Sequence, residues 1–157
     1  MSRAFVNEEA AEASAAVIPE KPVSTHPNLV TPSGLRLIEE HIARLQTSLA
    51  DSGPEGEHRP RLTRDLRYWR ARRAAAQVVE PSLSAPQEVA FGTAVTVQRG
   101  GTALRYRIVG EDEADPAKGL LSWTSPLAKA LMGAQVGETV EVGGDRPSVT
   151  VEGIEPG

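Results

Sequence analysis

Apolar residues recur every third or fourth position as far as Ala76 and about every second position after Pro86, and this change of period constrains the fold most. The first period is that of one helix face, the second that of a half-buried strand, so an α+β chain with helices first and a sheet afterwards is expected. Leu35, Ile38, Ile42, Leu45 and Leu49 follow one another at spacings of three, four, three and four, a narrow seam that requires a second helix against it. Thr31-Pro32-Ser33-Gly34 gives that helix a capped start. The stretch from Asp51 to Glu57 holds Gly53, Pro54 and Gly56 and cannot continue it. From about Arg61 the apolar positions return as Leu62, Leu66, Trp69 and Ala76, which predicts an antiparallel helical hairpin with its arginines outward. With arms of about sixteen residues, such a short coiled coil projects roughly 24 Å.

Val78-Val79-Glu80-Pro81 ends the second helix, and Glu88–Val97 and Ala103–Gly110 then alternate as strands joined through Gly100-Gly101. Leu120–Trp123 reads as a third strand, and Glu138–Val142 with Ser148–Ile154 as a closing hairpin around Gly143-Gly144-Asp145. Between them lies a short helix bounded at both ends. Ser125 is a good N-cap, Pro126 stands where its missing N–H costs nothing, and Gly133 suits the left-handed position past the end. Leu127, Ala130 and Leu131 share one side of it, so it should lie across the sheet. The expected organisation is a disordered Ala/Glu/Pro-rich tail at 1–28, a hairpin arm at 29–80, a linker at 81–86 and a small antiparallel β domain with one helix at 87–157.

With no cysteine among 157 residues, disulfides, thiolate metal sites and thiol nucleophiles are excluded. The N-terminal residues mix Glu8, Glu9 and Glu12 into alanines, unlike a signal peptide, and no apolar run could span a bilayer. A cytoplasmic protein with no membrane partner is expected. The net charge of −4 conceals two regions of opposite sign. Seven arginines face a single acid, Asp65, between His58 and Gln77, whereas from Glu80 onward eleven acids outnumber six bases. Such asymmetry speaks of separate surfaces for separate partners.

The segments G-E-D-E-A-D (110–115), S-P-L-A-K-A-L-M-G (125–133), V-G-E-T-V (136–140) and V-A-F-G-T-A-V (89–95) together resemble the bacterial Gre transcript-cleavage factors. Val30 to Leu35 and L-R-Y-W-R-A-R-R-A-A-A-Q-V-V (66–79) resemble the two ends of that family's arm. The resemblance implies a coiled-coil arm followed by an FKBP-like domain. It also implies a partner, RNA polymerase: the domain docks at the rim of the secondary channel while the arm enters it, and nucleic acid is met indirectly through the elongation complex. Contact with the rim is carried over to Ser122, Thr124 and Pro126. A family tip bears D-x-x-E-N, whose acids help hold the second magnesium of the polymerase centre. Here the loop offers Asp51, Glu55 and Glu57 without that pattern, on an arm that reads as short, so stimulated cleavage is expected to be weak or absent. The chain itself is expected to be a monomer with no catalytic residue and no cofactor, magnesium entering only indirectly at the polymerase centre. A short-armed regulator similar to the regulator of nucleoside diphosphate kinase is the alternative. An FKBP-type prolyl isomerase is more remote, because only Phe91, Tyr106 and Trp123 could line its pocket.

Several residue groups have plainer readings. Acids in a polar turn need no further role, and that is preferred for Asp51, Glu55 and Glu57 over metal delivery. Arg61, Arg64, Arg67 and Arg70 form a basic face that suits either solvent or an acidic or nucleic-acid surface. His26, His41 and His58 have no ligand spacing. Glu111, Asp112, Glu113 and Asp115 lack the glycine and terminal glutamate of a calcium loop and read as a solvated connection.

Overall fold

The computed structural model describes residues 18–143 and 148–157. The tail expected at 1–28 therefore lies outside the described residues as far as position 17, and its end departs from expectation, because Asn28–Val30 is a strand (β1). The described residues form two compact units. One comprises Ile38–Ala74 with the residues before His26, the other His26–Leu37 with Ala75–Gly157. Both ends of the expected hairpin thus cluster with the sheet. Among the described residues no helix is long and apolar enough to cross a membrane.

The arm unit is built on α1 (Pro32–Asp51) and α2 (Arg59–Ala75). Its share of α1, from Ile38 onward, is about 21 Å long at 1.5 Å per residue. Ile38 and Leu66 are buried on the seam, and Ile42, Leu45, Leu49, Leu62 and Trp69 are half-buried. The His41 ring stacks on Trp69 at 4.0 Å between centroids and 5° between planes. One arginine is not outward. Arg72 lies three residues after Trp69, on the same side of α2, and is 2% exposed. Ala76, expected to close the helical stripe, begins a strand instead.

That strand, β2 (Ala76–Val78), runs parallel to β1 with Asn28 opposite Ala76 and Val30 opposite Val78. The main sheet consists of β3 (Ala94–Arg99), β4 (Thr102–Val109), β5 (Leu120–Ser122), β6 (Thr139–Val140) and β7 (Val149–Glu155), in the order β5-β4-β3-β7-β6. Gly100 and Gly101 both take positive φ at the β3–β4 turn, as a two-residue hairpin of the expected kind requires. The sheet is antiparallel except at one edge. β5 pairs with β4 in parallel, because the chain crosses over through a 3-10 turn at Pro116–Lys118 and returns in the same direction. Glu88–Thr93, expected as strand, is irregular: Val89 exchanges backbone hydrogen bonds with Gly133 and Ala134, and Gly92 has φ +86°.

The short helix α3 (Pro126–Leu131) covers the apolar face of the sheet. Ala128, Leu131 and Ala134 pack with Val89, Val95, Val97, Ile108, Leu121, Val149 and Val151. Each fully buried valine or isoleucine stabilises by about 1.5 to 3 kcal/mol relative to exposure. Both ends of the helix are as expected, with Ser125 accepting a hydrogen bond from the Ala128 N–H and Gly133 at φ +84°. Ser125→Ala is expected to cost about 1 kcal/mol and to lower the melting midpoint by about 2 to 4 °C, measured by calorimetry.

Candidate functional site

β5 delivers the chain to the start of α3 through Ser122-Trp123-Thr124-Ser125, and backbone hydrogen bonds fix this turn at both ends. The Trp123 N–H donates to Val109 O at 2.9 Å and the Ser125 N–H to Ser122 O at 2.9 Å. Within it the Ser122 and Thr124 hydroxyls are 2.7 Å apart, and the Thr124 N–H donates to Ser122 Oγ at 3.2 Å. Thr124 Oγ1 also lies 3.5 Å from Glu111 Oε1. Ser122 and Thr124 are half-buried and Pro126 is exposed. The three residues named for partner contact are thus brought together on one rigid, partly open turn. Trp123 is half-buried between them, and His26 meets its ring edge-on at 5.7 Å.

The acidic connection after β4 is not simply solvated. Glu113 accepts a 2.5 Å hydrogen bond from the Thr31 hydroxyl, across a sequence separation of 82 residues. Thr31 itself caps α1: its Oγ1 accepts from the Gly34 N–H at 3.0 Å. The Glu113 carboxylate therefore sits at the N-terminus of a 20-residue helix, where a negative charge is favoured. A side chain at Gly34 would bring its Cβ to 2.9 Å from Glu113 Oε1, so the glycine makes room for the carboxylate. Sequence reasoning missed this pairing; the cap at Thr31 was the only local signal for it.

Asp51 ends α1, Glu55 and Glu57 lie in the following loop, and all three are exposed. Arg59 closes that loop by donating to Leu49 O and Gly53 O, each at 3.2 Å. No group of three or more His, Asp or Glu residues among those described could hold a metal ion. The basic face divides in two. Arg64 and Arg67 line a groove at the tip, while Arg70 lines another with Glu39, Ile42 and Arg73; Arg61 is exposed.

Residues before His26 meet this face. Glu20 accepts from Arg67 Nη2 at 2.5 Å and from Nε at 3.2 Å. The hydrogen bond from Arg67 holds the Glu20 carboxyl below its ordinary value, and Glu20 raises Arg67 in turn. Because the carboxyl is depressed, the contact is retained above the ordinary glutamate value and lost as pH falls through the lowered one.

Residues 84–156 match the family described as transcription elongation factor, GreA/GreB, C-term. Over 144 residues the chain is 31% identical to transcription elongation factor GreA of Desulfovibrio desulfuricans, using 78% of this chain and 89% of that protein. GreA of Nautilia profundicola is 51% identical over 69 residues, 43% of each chain. Among solved structures, GreA factor homolog 1 (Gfh1) of Thermus thermophilus aligns over 83% of this chain and 99% of that one, with 17% identity and a TM-score of 0.40. The match across most of the Desulfovibrio protein, together with the C-terminal match, places this chain in the GreA/GreB family of transcription elongation factors.

Proposed function

We propose that this family member binds RNA polymerase at its secondary channel and modulates elongation by occupying the channel, supplying no catalytic group of its own. The turn at Ser122, Thr124 and Pro126 carries the reading. It sets two mutually bonded hydroxyls just before, and an exposed proline within, the S-P-L-A-K-A-L-M-G segment through which the chain resembles the family. A preordered polar turn loses little conformational freedom on docking, which favours its use as a contact. The arm supports the second half of the proposal. Its loop acids are exposed and lack the D-x-x-E-N pattern, and its α1 portion is only about 21 Å long.

Thr124→Arg tests the docking turn. The side chain is half-buried at the surface, so an arginine can extend outward and the fold should melt within a few degrees of the parent. Polymerase binding, followed by co-sedimentation or interferometry, is expected to weaken by about tenfold or more, the loss typical of a disrupted interface centre. Unchanged affinity would remove the turn from the interface.

A further inference from the structure

The arm carries a surface that its own chain already covers in part. Arg59, Arg64 and Arg67 line a groove of about 420 Å³ together with Pro54, Pro60 and Glu55; Arg64 is paired with Asp65 at 3.0 Å and Arg59 donates to the Leu49 and Gly53 carbonyls, so Arg67 is the cation that presents its fork outward. Tyr68 lies four residues after Arg64, on the same side of α2. Lying on it, Glu20 engages the fork of Arg67 through two nitrogens, and Lys21 Nζ stands 4.8 Å from the Tyr68 ring centroid and 5.9 Å from that of Trp69. Ile18 forms one wall of the groove. The strap that makes these contacts reads Ile-Pro-Glu-Lys-Pro, an extended segment with few conformations to lose.

We propose that this face of the arm is a docking surface for an acidic, proline-containing extended polypeptide segment, and that Ile18–Lys21 occupies it in cis as a displaceable imitation of that partner. Charge complementarity and the seated strap both specify the occupant. A carboxylate matches the arginine fork, and the prolines and aromatic rings offer apolar walls to side chains that a phosphate backbone lacks. The strap is held by weak contacts. Its ion pair is exposed on both sides, with the Arg67 and Glu20 side chains 55% and 64% accessible, and exposed pairs of this kind contribute little. Its advantage is its high local concentration, which an incoming peptide must overcome.

The test uses the full chain and a fluorescein-labelled decapeptide containing Ile-Pro-Glu and two further glutamates, followed by anisotropy. Glu20→Ala with Lys21→Ala, which loosens the strap, is expected to tighten peptide binding by about tenfold over the parent. Adding Arg67→Glu to that variant should return binding to background, while its melting midpoint stays near the parent's because all three side chains are at the surface. Equal affinity of the parent and the loosened strap would overturn the proposal, as would retention of binding by the Arg67→Glu variant. A ten-nucleotide single-stranded DNA that gains from loosening while the peptide does not would overturn the polypeptide assignment.

Discussion

Replacing Gly110 with valine is expected to lower the stability of the sheet unit by about 3 kcal/mol or more, through overpacking against a backbone that cannot be moved cheaply. A Cβ at this buried position would lie 2.4 Å from Leu29 O, 3.5 Å from its carbonyl carbon and 3.6 Å from Val30 Cα. The neighbour is a strand rather than a flexible side chain. β1 is paired with β2 over three residues, and the Val79 N–H extends the ladder to Val30 O at 2.9 Å. Displacing β1 would also disturb Thr31, which caps α1 and donates to Glu113. The clash should therefore disrupt several contacts together. Gly153→Ala is the control: an added Cβ there meets nothing within 4 Å, so a change within about 0.5 kcal/mol is expected. Chemical denaturation of both variants checks the contrast, and equal losses would refute the close-approach explanation.

The parts of this fold legible in the sequence were those specified by neighbours in the chain. Ser125, Pro126 and Gly133 delimit α3 through local backbone chemistry, and Gly100-Gly101 specifies the β3–β4 hairpin in the same way. The parts not legible depend on partners far along the chain. β1 and β2 are three residues each and pair across the whole arm, too short to show a period. Glu88–Thr93 alternates like a strand, yet Val89 spends its backbone bonds on the end of α3. Arg72 is buried although its residue type argued for the surface. The turn proposed for partner contact was singled out through resemblance, and its hydroxyl pairing emerged only from the geometry. The basic run was plain from composition. Its division between two grooves, and the strap across one of them, follow from helical rotation and from a segment that composition alone assigned to a tail.

The second large effect concerns the chemistry of the polymerase centre. Paired carboxylates promote hydrolysis there only if they reach the magnesium ion and share it. Asp51, Glu55 and Glu57 are exposed and lack the D-x-x-E-N pattern, and Glu55 lies on the wall of a groove lined by Arg59, Arg64 and Arg67. The arm's share of α1, from Ile38 onward, is about 21 Å long. A member with this tip should fill the channel without completing the metal site. Transcript cleavage by a backtracked elongation complex tests that claim most directly, with the chain added alone and then titrated against a long-armed Gre factor. The expected result is no stimulation by the chain alone and a concentration-dependent fall in the cleavage supported by the long-armed factor. The account is contradicted if the chain alone restores cleavage and the combined change of Asp51, Glu55 and Glu57 to alanine abolishes it.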